Sequence, residues 1–286
     1  MMKRQYFIFM ISLLLPALAT VAACGKQETA SESEDISQPQ LTEQLSATPE
    51  TVDIGVVQTP EPAAVTPTPT PVPTPTPDPY LQNVEKKEYR EGFYYVPLND
   101  ALRKRITGLS YPKDTKSCLV SFDELRYLRI LYVDFSGEEH VGELIVHREL
   151  ADEVLEIFAE LYDNRYALTS VRLVDDFGER ADDTKSMEAD NTSSFCYRTV
   201  SGSEKLSRHS YGAAIDINPM RNPYIRPDGS VSPLNGKEYA DRSKDFPGKI
   251  DKHDLCYKIF TRHGWSWGGD FKDSKDYQHF SKEVER

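Results

Sequence analysis

The chain has 286 residues, with 34 lysines and arginines against 46 aspartates and glutamates, which gives a formal net charge of −12 at pH 7. An acidic chain without a basic stripe does not match the phosphates of nucleic acid, so no nucleic-acid partner is expected. The same charge argues against nonspecific adhesion to an anionic wall polymer. About 200 residues follow a low-complexity stretch, which is enough for one domain with a filled core.

Residues 1–23 have the pattern of an export signal. Lys3 and Arg4 precede an apolar run that ends in two alanines and Cys24. Such a run with small residues before the cut is typical of a signal peptide, and a single membrane-spanning anchor is the alternative. The position of Cys24 resembles that of the lipidated cysteine of bacterial lipoproteins. We therefore expect a protein lipid-anchored to the outer face of the bacterial cytoplasmic membrane, with no other membrane contact.

Residues 24–83 are predicted to form a disordered tether anchored at Cys24. They are rich in Ser, Thr, Gln and Glu, and residues 66–79 are dominated by proline and threonine. Such a composition cannot bury enough apolar surface to fold. Proline-rich chain extends by about 3.1 Å per residue, so the whole tether predicts a reach of about 100 Å. A spacer without a particular target is equally consistent with this composition.

Residues 84–286 are predicted to form one α+β domain, with a small, mostly antiparallel sheet flanked by helices. Runs of β-branched and aromatic residues indicate the strands, and apolar spacing along one face indicates the helices. Asn99 is the expected N-cap of the first helix, and Ser136-Gly137 is the expected hairpin turn. Strands are predicted at 94–98, 128–135, 141–146, 171–174, 213–217 and 277–280, and helices at 100–106, 150–162 and 255–263.

Two motifs offer metal ligands. The first contains His209 and Asp216, and the second contains Asp276 and His279. A catalytic zinc takes three ligands of these types and keeps a fourth position open, and a nearby carboxylate can serve as a general base. Because His209 and Asp216 would lie on opposite faces of an unbroken strand, we expect a turn at Gly212 to bring them together. A structural hydrogen bond between a histidine and an aspartate is the alternative.

Residues 92–282 resemble the M15 family of zinc peptidases, the D-alanyl-D-alanine carboxypeptidase group. The segments that carry the resemblance are 144–147, 173–176, 191–198, 206–219, 264–270 and 276–280. The resemblance implies an M15/hedgehog-like fold with one zinc ion in a groove beside the sheet. It also implies that His209, Asp216 and His279 are the zinc ligands, that Asp276 is the catalytic base, and that Arg198 binds the scissile carbonyl or the substrate carboxylate.

Several roles stay open at this point. Arg198 could form a surface ion pair, and Asp276 could be a solvated turn residue. Ser207, Tyr211 and Trp267 are candidate substrate contacts, although such aromatic residues are as often part of a core. Cys196 occupies a position where a polar residue such as asparagine is expected. At most one disulfide can form among the three cysteines of the domain, which are Cys118, Cys196 and Cys256.

The compartment and the resemblance together imply a peptidoglycan stem peptide as the substrate. The leading expectation is removal of the terminal D-alanine from a stem ending in D-Ala-D-Ala. One alternative is an endopeptidase that cuts the L-Ala-D-Glu bond, as phage-derived members of the family do. A second alternative is a lipoprotein that binds the wall without catalysis. We expect a monomer.

Overall fold

The computed structural model describes residues 78–178, 182–200 and 203–285. The predicted signal peptide, the lipidation site at Cys24 and residues 24–77 of the predicted tether lie outside these residues. No helix among the described residues has both the length and the apolar character needed to cross a bilayer. A 3-10 turn at Pro79–Leu81 already packs on the domain, through Tyr80 and Leu81, upstream of the predicted start at residue 84.

A four-stranded antiparallel sheet, in the order β1-β2-β3-β4, forms the first part of the domain. Its strands are β1 (Lys87–Arg90), β2 (Phe93–Pro97), β3 (Leu125–Val133) and β4 (Glu139–His147). The last two strands pair along their whole length. Their connection turns where expected, since the Gly137 N–H donates to the Asp134 carbonyl at 3.0 Å and Gly137 adopts a φ of 86°. The predicted hairpin is therefore confirmed.

The described residues form four α-helices, which are α1 (Asp100–Ile106), α2 (Ala151–Asp163), α3 (Asp183–Glu188) and α4 (Leu255–Arg262). Asn99 caps α1 as expected, because its side chain accepts the Leu102 N–H at 3.1 Å. Helix α2 covers one face of the sheet and buries Phe158 completely against strand residues such as Ile130. Each such buried apolar side chain stabilises the fold by about 1.5–3 kcal/mol relative to exposure.

The second part of the domain has short strands joined by turns and loops. The strands are β5 (Ser170–Val171), β6 (Asn191–Thr192), β7 (Ala214–Asp216), β8 (Tyr224–Ile225), β9 (Val231–Ser232), β10 (Ser266–Trp267), β11 (Lys275–Asp276) and β12 (His279–Ser281). The first two pair in parallel, whereas β10-β12-β7 and β11-β8-β9 form two antiparallel sheets. The described residues thus have the α+β composition that was predicted.

The predicted strand at 171–174 is correct only at its start. Val174–Asp176 forms a 3-10 turn, in which the Phe177 N–H donates to the Val174 carbonyl at 3.0 Å. The apolar residues suggested an extended segment, but the buried Asp175 carboxylate accepts the Ser110 N–H at 3.1 Å and draws the chain toward α1. A tertiary polar contact therefore overrides the local strand preference.

The two parts of the domain meet at the C-terminal end of β4. There the His147 N–H donates to the Gly212 carbonyl at 2.9 Å, and the Phe195 N–H donates to the Ile145 carbonyl at 3.2 Å. These bonds attach the segments that precede β7 to the longest strand pair of the fold. The most regular strands thereby fix the position of the loops that carry the candidate ligands.

Candidate metal centre

Three side chains that the sequence pointed to converge in the structure. His209 Nε2 lies 3.2 Å from His279 Nδ1 and 3.3 Å from Asp216 Oδ2. His279 Nδ1 lies 3.0 Å from Asp216 Oδ1. His209 and Asp216 are buried, and His279 is partly buried. Two imidazoles and one carboxylate therefore share one small, mostly buried volume.

A tight turn and a strand pair bring these residues together. Ser207 caps the 3-10 turn Arg208–Tyr211 through its side chain, and Gly212 then takes a left-handed φ of 63° before β7 begins. A Cβ at this glycine would lie 2.6 Å from the His147 backbone nitrogen, so a larger residue does not fit. His279 stands directly across from Asp216 in the β12–β7 pair. The predicted turn at Gly212 is thus confirmed.

The backbone fixes the orientation of the first imidazole. His209 Nδ1 lies 2.6 Å from the Ser194 carbonyl oxygen, which can only accept a hydrogen bond. A proton on His209 Nδ1 satisfies this carbonyl, and Nε2 is the ring atom that faces His279 and Asp216. A hydrogen bond from the second ring nitrogen to a carbonyl is the arrangement that orients histidine ligands in metal sites.

Electrostatic coupling among the three groups is strong. Burial alone would raise the pKa of Asp216, but His209 and His279 lower it well below its ordinary value. Burial alone would lower the pKa of His279, and the hydrogen bond to Asp216 raises it. A buried carboxylate between two imidazoles is stabilised as the anion, which is the form that binds a cation.

The donor set fits a single tetrahedral metal ion. Ligand distances of about 2.0–2.1 Å imply donor-to-donor edges of about 3.3 Å in a tetrahedron. The two imidazole nitrogens lie 3.2 Å apart, and they approach different oxygens of Asp216, His279 Nδ1 at 3.0 Å from Oδ1 and His209 Nε2 at 3.3 Å from Oδ2. A second cluster, formed by Asp134, Glu138 and His140, lies in the β3–β4 turn. There Asp134 Oδ1 accepts the Ser136 and Glu138 N–H groups. Stabilising the turn is therefore a sufficient role for this carboxylate.

Asp276 stands beside the metal ligands, at the end of β11. Gln278 Nε2 donates to its Oδ1 at 3.3 Å. Burial, and to a lesser degree repulsion by Asp216, raises the pKa of Asp276 to about 6, although His279 acts in the opposite direction. A Cβ at Gly268 would lie 2.5 Å from the Asp276 carbonyl oxygen, so glycine at this position permits the close packing of the two segments. Such a carboxyl group can exchange a proton near neutral pH.

Arg198 approaches the same volume from the segment before the ligand turn. Its carbonyl accepts the Ser207 N–H at 3.0 Å and the Ser210 hydroxyl at 2.7 Å. Its guanidinium Nη2 lies 2.8 Å from Asp183 Oδ2 on α3, and its side chain is 32% exposed. Burial alone would lower the pKa of Arg198, but nearby carboxylates raise it, Asp183 most strongly and Asp216 and Asp276 further. Arg198 does form an ion pair, and its partner was not foreseen.

The other predicted contacts have different surroundings. Ser207 is buried, and its hydroxyl accepts the His209 N–H, so it shapes the ligand turn. Trp267 is only 6% exposed, and its indole N–H donates to the Tyr277 carbonyl at 2.8 Å. Trp267 thus lies in the core beside the site, which is the alternative to a substrate contact that the sequence left open. Tyr211 is partly buried between the two main apolar clusters.

Three contributors to the site were missed. Ser194 acts through a backbone carbonyl, which no residue type reveals, and Asp183 reaches Arg198 from a separate helix. Phe271 follows the Gly268–Asp270 turn, is 41% exposed, and has its ring centroid 6.3 Å from that of His279. The sequence signal that could have pointed to Phe271 is its place directly after Gly268-Gly269-Asp270, which lies within one of the segments that resemble the family.

The three cysteines among the described residues are free thiols. Cys196 is buried beside Val174, and its N–H donates to the His209 carbonyl at 3.2 Å. Burial raises the pKa of Cys196 to about 12. A neutral, apolar thiol therefore fills the position where a polar side chain was expected.

Residues 201–282 match the family model described as D-alanyl-D-alanine carboxypeptidase. The matched range contains His209, Asp216, Asp276 and His279, whereas Arg198 lies just before it. The match supports the resemblance to M15 peptidases and the assignment of a peptidase. Comparison with curated proteins and with solved structures gave no match.

Proposed function

We propose that this chain is a zinc-dependent peptidase that cleaves peptidoglycan stem peptides, with removal of the terminal D-alanine as its leading activity. The observation that carries the proposal is the convergence of His209, Asp216 and His279, with Asp276 beside them, inside the segment that matches the carboxypeptidase family. A chain that had kept the fold for binding alone would not need both a complete ligand set and an adjacent, partly buried carboxyl group.

Each residue has a distinct task in the proposed reaction. His209, Asp216 and His279 would hold the ion, which would supply a Lewis acid able to lower the pKa of a water molecule toward neutrality. Asp276 orients the attacking water, accepts its proton and delivers that proton to the leaving amine. Arg198 stabilises negative charge on the substrate. No covalent bond between the protein and the substrate is required.

The preference for a terminal residue rests on Arg198. A planar guanidinium suits bidentate binding of a carboxylate, and a stem peptide that ends in D-Ala-D-Ala presents one next to the bond that is cut. About a third of the Arg198 side chain is exposed, and its Nε–H is buried without a hydrogen-bond partner among the described residues. The arginine therefore keeps donor capacity beyond its bond to Asp183.

Purified stem peptides test the activity and its alternatives in one assay. The full chain would be incubated with pentapeptide stems and with intact muropeptides, and the products would be identified by mass spectrometry. Loss of one alanine supports the carboxypeptidase, and a cut between L-Ala and D-Glu shows the endopeptidase instead. No cleavage by zinc-loaded protein would reject peptidase activity and favour wall binding. Activity should disappear with a chelator and return with zinc.

We also propose that the protein acts outside the cell, held on the membrane by acyl chains on Cys24. The support is the sequence pattern of residues 1–24, since two or more acyl chains give stable anchoring. Replacement Cys24→Ala should move the protein from the membrane fraction to a soluble fraction. Unchanged fractionation, together with an unmodified N-terminal peptide by mass spectrometry, would reject lipidation.

A further inference from the structure

Phe271 places an exposed aromatic ring next to a candidate metal ligand. Its side chain is 41% exposed, and its ring is tilted by 50° to that of His279 at a centroid distance of 6.3 Å. A single exposed apolar residue is ordinary on a protein surface and needs no function. The position beside His279 distinguishes Phe271 from Val141, which is 53% exposed on the outer part of β4.

The turn that carries Phe271 is held in place on both sides. The Phe271 N–H donates to the Gly268 carbonyl at 3.1 Å, and the Lys275 ammonium donates to the carbonyls of Gly269 and Phe271 at 3.1 and 2.6 Å. Gly268 lies so close to Asp276 and His279 that a Cβ there would meet both residues within 3.2 Å. The turn thus fixes the backbone of Phe271 relative to the candidate ligands, while the residue stays 41% exposed.

The candidate ligands and catalytic groups at this site are polar. Asp276 and Arg198 provide charges, and the ligands provide two imidazoles and a carboxylate. The nearby Trp267 is turned into the core. An exposed ring beside His279 therefore gives this site an apolar surface for a small aliphatic group close to the reacting bond.

We propose that Phe271 is a specificity-determining residue that contacts the methyl group of an alanine flanking the cleaved amide. This inference rests on the proposed function, because both candidate bonds of the stem peptide, D-Ala-D-Ala and L-Ala-D-Glu, have alanine on at least one side. Loss of one methyl group from an apolar contact changes kcat/KM by about 10-fold or more. Phe271 would thereby select alanine over glycine at that position.

The test compares alanine and glycine substrates in matched variants of the full chain. Stem peptides would carry alanine or glycine at each position that flanks the cleaved bond, and kcat and KM would be measured for wild type, Phe271→Ala and Phe271→Leu. Wild type should prefer alanine by about 10-fold at one of these positions. Phe271→Ala should reduce that preference to less than about 3-fold, and Phe271→Leu should keep an intermediate preference. Val141→Ala is the control and should retain the wild-type preference.

The outcomes separate this inference from the proposed function. If zinc-loaded wild type cuts no stem peptide, both the function and the alanine contact are overturned. If wild type cuts and selects alanine, but Phe271→Ala selects it equally well, the contact alone is overturned. Zinc content measured for each variant distinguishes a lost substrate contact from a disturbed His279. A reduced preference at unchanged zinc content supports the proposal.

Discussion

The four-stranded sheet with α2 and the ligand-bearing region after residue 190 are stabilised in different ways. The first region buries long apolar strands and one face of a helix. In the second region, strands have two or three residues, and many buried side chains are polar, for example Asn191, Ser194 and Ser210. The first region depends chiefly on area removed from water, whereas the second region shares the main apolar cluster and adds many specific hydrogen bonds between buried polar groups. Stability and activity should therefore respond to different substitutions.

The chain just after Asp216 shows how the second region is held. The buried Asp190 carboxylate accepts the N–H groups of Met220 and Arg221 at 2.9 and 3.2 Å, and it also pairs with the Arg221 side chain. The Asn222 side-chain oxygen accepts the Ile250 N–H at 2.8 Å. These bonds define a unique path for a loop that has little apolar surface of its own.

Asp276→Asn is expected to have the largest effect on activity and almost none on stability. The amide keeps the shape of the side chain but cannot accept a proton, so kcat should fall by about 10²–10⁴-fold. Zinc content and the free energy of unfolding should stay near those of wild type. Turnover, metal analysis and denaturant unfolding measure the three quantities. Undiminished turnover would remove Asp276 from the proposed mechanism.

The converse behaviour is expected for Phe158→Ala in α2. The ring is fully buried against the sheet, so its removal should lower the free energy of unfolding by about 3–5 kcal/mol. The kcat of the protein that remains folded should not change, since the substitution lies outside the ligand-bearing region. Glu156→Ala, on the exposed side of the same helix, is the control and should shift stability by no more than about 0.5 kcal/mol. If both variants lost the same free energy of unfolding, the conclusion that buried apolar area stabilises this core would be contradicted.

The same contrast explains which parts of the structure the sequence predicts. The β3–β4 hairpin and α2 were predicted well, because periodic apolar residues report directly on burial. The candidate ligands were singled out because His and Asp are metal-binding residue types and because their motifs carry the resemblance to the M15 family. The carbonyl of Ser194 and the exposed face of Phe271 could not be predicted, since they depend on how distant segments meet. For Trp267 the sequence left both roles open, and the structure places this aromatic residue in the core.

Gly212→Ala is expected to have a smaller effect, which lowers both stability and zinc affinity. The left-handed backbone costs about 1–3 kcal/mol for a residue other than glycine, and the new Cβ would lie 2.6 Å from the His147 nitrogen. Because His209 precedes this turn, zinc affinity should fall together with stability. Gly229→Ala is the matched control, since Gly229 has a φ of 81° and no atom within 4 Å of its Cβ position. That control should lose stability and keep its zinc affinity.

The smallest effect is expected for Asp183→Asn, which removes the charge opposite Arg198. The two side chains are 32% and 20% exposed, and partly exposed ion pairs contribute no more than about 1 kcal/mol. If Asp183 holds the guanidinium toward the site, kcat/KM should fall by about 5-fold or less, mostly through KM. Asp163→Asn breaks the comparable pair with Arg90 beside α2 and should leave kcat/KM unchanged. A higher kcat/KM for Asp183→Asn would mean that Asp183 competes with the substrate carboxylate for Arg198.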